Sequence, residues 1–220
     1  MLVFNNVTKH YHYEQYSTVA GFSLTLSDKL NTLLIDAQSG KTTLCKLILG
    51  LEKPTSGSVT FNGEDCCQIG GKQLDATYLS SDLLLFEGKT ALYNVAYPLV
   101  LRGVQKEAAN QAAAKALQEV GINADAKVKT LALQDKVWVV LARLFVRKSK
   151  LVLVDDFLPL LNDLQKSKLM GHFYQTNCFV VHFTSNVDLA FGKVYLCHDG
   201  HVYTENIKEK LQEIIWLNSY

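Results

Sequence analysis

The stretch at residues 31–51, NTLLIDAQSGKTTLCKLILGL, decides how this chain is read. Asn31 to Asp36 is a short, largely apolar run ending in a polar turn, the pattern of a buried strand. From Lys41 to Leu51 the apolar residues Leu44, Leu47, Ile48 and Leu51 recur at helical spacing. Between them stands Gly40-Lys41-Thr42-Thr43. A strand, a turn and a helix start in that order make a cradle for phosphates. Backbone N–H groups at the helix N-terminus surround the anion, the lysine reaches the outer phosphates, and the hydroxyl after it ligates magnesium. Gly40, Lys41 and Thr42 supply the end of this Walker A pattern. Its beginning is missing: the glycine expected five residues before Gly40 falls on Ile35, and the one two before falls on Gln38. A loop shortened by one residue explains the same letters. Asp36 also brings negative charge to a place meant for phosphate.

Outward from that stretch the chain alternates. Residues 53–57, KPTSG, read as a turn, and residues 58–61 as a strand that stops at Asn62-Gly63. Residues 105–120 are alanine-rich and helical, with Gly121 as a natural stop. Helices are expected at 136–147, 164–174 and 205–217, and strands at 178–183, 193–198 and 201–204, the last pair joined by a turn at Asp199-Gly200. Residues 150–156, KLVLVDD, form a nearly continuous apolar run that fits a central parallel strand covered on both faces. Such alternation predicts an α/β domain with a mostly parallel sheet. Residues 91–131 hold no strand candidate and read as a helical lobe inserted in that domain. Asp155, at the end of its strand and well downstream of Lys41, is placed to hold magnesium through water.

Composition excludes several alternatives. With 220 residues, 48% hydrophobic and 20% charged, the chain can bury a large core, and its size suits one domain carrying one inserted lobe. A formal charge of +1 offers no surface for nucleic acid. No apolar run reaches the ~20 residues that span a bilayer. The opening MLVFNNVTKHYH lacks the layout of a signal peptide, so a cytoplasmic location is expected. Five cysteines without zinc-ligand spacing read as reduced core residues, the adjacent Cys66 and Cys67 included.

Longer runs carry a family resemblance. TTLCKLILGLEKPTSGSVTFNGED is similar to the segment that follows the phosphate loop in ABC ATPases. NVAYPLVLRGV resembles the entry into their helical lobe, LARLFVRKSKLVLVDD their passage into the catalytic strand, and VYLCHDGHV their closing strand pair. Most of these positions do no chemistry, so the resemblance covers nearly the whole chain. It implies a single ABC-type nucleotide-binding domain over residues 1–220: a RecA-like P-loop NTPase core with a mostly parallel sheet, an antiparallel β subdomain and a helical lobe near 91–131. The cofactors it implies are ATP and Mg2+.

Carried over residue by residue, the resemblance assigns Tyr11 to stacking on adenine. It assigns Gln38, Ser39, Gly40, Lys41, Thr42 and Thr43 to the phosphates, and Thr42 and Asp155 to magnesium. The positions that drive hydrolysis depart from the family. Asp156 replaces the glutamate that polarises water; one methylene shorter, its carboxylate falls about an ångström short, a displacement that can cost ~100-fold. Ser185 stands where a histidine contacts the γ-phosphate. No glutamine is found near Ser80 or Ser81, where one senses metal and phosphate. Asn162 replaces the turn aspartate. The signature loop falls on Leu131-Ala132-Leu133-Gln134-Asp135, without its serine and glycines. The family's dimers join one chain's phosphate loop to the other's signature loop, so no homodimer or heterodimer containing this chain yields a complete site. The partners implied are membrane-spanning transporter subunits and a second ABC ATPase chain, at the inner face of the cell membrane. The apolar string Leu83-Leu84-Leu85-Phe86 is expected either to dock on those subunits or to be buried within the chain.

Overall fold

The computed structural model describes residues 1–11, 18–35, 40–198 and 201–217, leaving aside the side chains of 70–73 and 214–217. In chain order the elements are β1 Leu2–Lys9, β2 Val19–Leu26, β3 Leu30–Ile35, α1 Lys41–Ile48, β4 Ser56–Phe61, β5 Glu64–Asp65, α2 Cys66–Gln73 and β6 Ala76–Ser80. There follow α3 Ala91–Val100, α4 Lys106–Glu119, α5 Leu133–Arg147, β7 Leu151–Asp155, α6 Asp163–Gln175, β8 Phe179–Thr184, β9 Lys193–His198, β10 His201–Tyr203 and α7 Ile207–Leu217. They fall into two compact units, residues 1–74 with 179–220, and residues 75–178.

The first unit holds two sheets. One is antiparallel, in the order β2-β1-β4-β5. Its inner face is built by alternation: Leu2, Phe4 and Val7 of β1 are buried, and Phe4 meets Phe22 of β2 edge to face at 5.1 Å. Asn62 and Gly63, both with positive φ, close the β4–β5 hairpin as their sequence predicts. Gly57 differs from expectation. It lies inside β4, which begins two residues earlier than the sequence suggests, with φ of 79°, and a Cβ there would come 2.3 Å from the Asn6 carbonyl oxygen. The register against β1 shifts at that point, so Gly57 marks a bulge instead of a turn. The other group of strands centres on β3, wholly buried, with β8 and β9 parallel to it on either side and β10 antiparallel to β9. Burial on both faces explains its unbroken apolar sequence.

In the second unit β6 runs parallel to β7, and the helices pack on one another. The cluster at 91–131 does not stop there. Val139 and Ala142 of α5 share one core with Ala91, Val95, Ala113 and Leu117. Small alanines on α4 let the helices approach closely, which is why so polar a helix still buries a face. Helix α5 starts three residues before the predicted 136, so it takes in Leu133, Gln134 and Asp135. The Asp199-Gly200 turn lies outside the described residues.

Candidate functional site: a phosphate half and an acidic half

The phosphate half belongs to the first unit. Gly40 is the N-cap of α1, with φ of 80° and ψ of 20°, and being glycine it has no side chain with which to cap the helix. A Cβ at Gly40 would lie 2.8 Å from the Thr18 carbonyl oxygen, so only glycine both fits and adopts this conformation cheaply. Lys41 is 5% exposed, whereas the Thr42 side chain is exposed and Thr43 is buried. The first N–H groups of a helix and its positive dipole end suit an anion, and a lysine at the first turn adds a cation beside them. These residues therefore fit a phosphate group. Gln38, Ser39 and Asp36 lie outside the described residues.

Tyr11 follows β1 and is half-buried, and the Lys9 ammonium sits 4.8 Å from its ring centroid. Lys9 is itself fixed by Glu52 Oε2 and the Lys53 carbonyl, each at 2.9 Å. Ser185 is exposed just past β8. His182 is a core residue: it is fully buried, stacks on Phe191 at 5.0 Å and lies 3.5 Å from the Thr32 hydroxyl.

The acidic half belongs to the second unit. Asp155 ends β7, is 6% exposed, and accepts a 2.7 Å hydrogen bond on Oδ2 from the Tyr78 hydroxyl. Asp156 follows in the left-handed region, φ 46°, which aspartate tolerates better than most residues because its short side chain bonds locally. Ser80 pairs with Asp155 across β6 and β7; Ser81 is exposed. The Ser80 hydroxyl is buried with no hydrogen-bond partner. Among the described residues no three His, Cys, Asp or Glu side chains cluster as a metal cage. Magnesium does not need one, because it keeps most of its waters and takes one or two protein oxygens plus phosphate.

Residues 131–135 have a structural occupation. Leu131 follows a 3-10 turn, and Ala132 is the N-cap of α5 without a side-chain cap. Gln134 Nε2 donates to the Leu160 carbonyl at 3.2 Å, and Asn162 Nδ2 donates to Gln134 Oε1 at 3.3 Å. Asn162 also caps α6, accepting from the Gln165 N–H at 2.9 Å while its own N–H donates to Gln165 Oε1 at 3.0 Å. This reciprocal capping box fixes the chain shortly after β7.

Nothing in the sequence pattern points to Tyr78 or Arg143, and Ser80 stands out there only as a place without a glutamine. Tyr78 and Ser80 lie on β6, whose ATYLS has no clear alternation. Arg143 is drawn into the unit to hold a strained turn. Leu83 and Leu84 both have positive φ, 59° and 47°, and the guanidinium donates to their carbonyls at 3.0 and 2.8 Å. Burial, reinforced by Arg147, pushes the Arg143 guanidinium down to about 10, still charged at neutral pH. The apolar string divides accordingly: Leu83 is buried, while Leu84 and Phe86 are 54% and 48% exposed. Phe86 packs edge-on against Tyr93 and Tyr97, which stack on each other at 5.2 Å. The cysteines are free thiols, and burial pushes those of Cys66 and Cys197 up to about 12, far from reactivity.

The sequence profile of the family described as "ABC transporter" matches residues 22–158. The chain belongs to this family. It is a nucleotide-binding domain of the ABC transporter kind, and the family binds ATP, typically with magnesium. The cell division ATP-binding protein FtsE of Haemophilus influenzae is 30% identical over 164 residues, 71% of this chain and 75% of that protein. The Fe(3+) ions import ATP-binding protein FbpC of Brucella abortus is 29% identical over 201 residues, 90% of this chain. The chain spans 54% of that relative's length. In structure it is similar to the ATP-binding cassette MJ0796, solved as a dimer in a post-hydrolysis state with ADP and Pi, with a TM-score of 0.78 and 22% identity over 92% of this chain and 96% of that one. That likeness establishes the P-loop NTPase fold with its antiparallel sheet. ABC ATPases dimerise and work with membrane transporter components. Among the described residues of this one, no helix is long and apolar enough to cross a membrane.

Proposed function

We propose that this chain binds ATP with magnesium through Lys41, Thr42 and Asp155, with Tyr11, Gln38, Ser39, Gly40 and Thr43 completing the nucleotide contacts, and that it hydrolyses ATP slowly or not at all. The observation that carries this reading is an asymmetry. The phosphate half keeps a left-handed Gly40 at a helix start and a buried Lys41. In the acidic half, residues 131–135 present Ala132, Leu133 and Gln134 where a phosphate clamp needs a hydroxyl and bare amides, and Gln134 is bonded to Leu160 and Asn162. Losing one transition-state donor costs roughly 100- to 1,000-fold. Here Asp156 stands in place of the group that polarises the attacking water, and Ser185 in place of one that contacts the γ-phosphate.

The chain acts, on this reading, as one ATPase subunit of a transporter, bound at the inner face of the membrane to membrane-spanning subunits. Its second ATPase is either another copy or a different ABC chain. The exposed Leu84, Phe86 and Tyr93 supply an apolar surface for that docking. The same surface favours the second reading, a catalytically dead docking or regulatory subunit. Equilibrium binding of ATP and steady-state turnover, measured with and without magnesium on the chain and on Lys41→Ala, separate the two. The first reading expects magnesium-dependent binding that Lys41→Ala weakens at least tenfold, with negligible turnover in both. Absence of binding at millimolar ATP leaves the second; turnover at ordinary ABC ATPase rates refutes both.

A further inference from the structure

We infer that Tyr78 is a positioning residue for Asp155 and sets how tightly the nucleotide site holds its divalent cation. This rests on the reading of Asp155 as the magnesium residue. In the parallel ladder Ser80 lies opposite Asp155 and Tyr78 opposite Leu153, so Tyr78, Ser80 and Asp155 leave the same face of the strand pair. The Tyr78 hydroxyl donates to Asp155 Oδ2 at 2.7 Å, the length of a charge-assisted bond. A buried carboxylate held in this way has one orientation instead of several. Groups that orient a metal ligand from behind are worth about 10- to 100-fold in metal affinity.

Ser80 is a second, independent sign that this spot receives a polar ligand. It is 7% exposed, its hydroxyl has no hydrogen-bond partner, and it stands directly across from Asp155. Buried hydroxyls are nearly always satisfied, and one left open beside a carboxylate suits the water shell of a bound cation. The end of β6 and β7 thus presents a carboxylate flanked by two hydroxyls: Tyr78 fixes the carboxylate, and Ser80 would bond a water of the ion.

The test uses the full chain saturated with ATP and titrated with Mn2+, with free Mn2+ followed by its paramagnetic resonance signal. Tyr78→Phe keeps the ring and removes one hydroxyl. It is expected to weaken Mn2+ binding about tenfold while leaving ATP affinity in EDTA within about twofold, a split that a merely structural role does not produce. Ser80→Ala is expected to weaken Mn2+ in the same direction and serves if Tyr78→Phe does not fold. Asp155→Asn is the reference arm. If Asp155→Asn loses Mn2+ and the two hydroxyl variants do not, the role of Tyr78 is refuted and that of Asp155 stands. If Asp155→Asn changes nothing, or the unaltered chain holds no Mn2+, both readings fall. Equal loss of Mn2+ and metal-free ATP affinity in Tyr78→Phe also overturns the inference.

Discussion

Ala132→Ser tests whether the signature segment of this chain has become an ordinary helix start. Ala132 already has N-cap geometry, with φ of −64° and ψ of 159°, yet no side chain bonds the first N–H groups of α5. Its carbonyl accepts from the N–H of Asp135 at 3.1 Å and of Lys136 at 3.0 Å. Residue 132 is exposed, so a serine hydroxyl costs nothing to desolvate, and the backbone needs no change to place it. A serine N-cap in place of alanine is typically worth ~1 kcal/mol. Because Asp135 N–H already has a weak partner, the gain here belongs in the lower half, about 0.5–1 kcal/mol. In a chain of this size that raises the melting temperature by roughly 1–4 °C. The assay is thermal and urea denaturation without nucleotide. Ala112→Ser, exposed within α4, is the opposite-sign control, expected to cost about 0.5 kcal/mol. If Ala132→Ser leaves stability unchanged or lowers it, the N-cap assignment of residue 132 is wrong.

Two further outcomes are expected. Asn162→Ala removes the acceptor that holds the Gln165 N–H and should cost ~1 kcal/mol in urea denaturation, whereas Asn162→Asp, an equally good cap, should cost almost nothing. Partial burial lowers His172 from its usual 6.5, so the folded chain takes up its proton less readily than the unfolded chain. The stability this contributes is fully present above pH 6.5 and is lost as pH falls through the lowered native value. His172→Gln should therefore flatten the decline in urea stability between about pH 7 and pH 5; an unchanged slope refutes that assignment.

Most of the family assignment was legible without coordinates because it rests on local physics. The Gly40 turn, the helical spacing of Leu44, Leu47 and Ile48, the apolar run of β7 and the Asn62-Gly63 hairpin are each dictated by a few adjacent residues. The same holds for the departures from the family pattern at Ser185, Asp156 and residues 131–135, which are read from single positions. Pairing across strands is not written in any local window. The strands β1, β2 and β6 were not read as such, since their residues form strands only against partners far along the chain. Gly57 looked like a turn residue because a bulge and a turn ask for the same positive φ. Where Tyr78 sends its hydroxyl, which side of Leu83-Leu84 faces out, and why Asn162 suits the position of an aspartate all depend on neighbours brought together by folding. The sequence decides which chemical group stands at each of these positions. Only folding supplies the partners: the Tyr78 hydroxyl that bonds Asp155 from the neighbouring strand, and the Gln165 side chain that closes a capping box with Asn162.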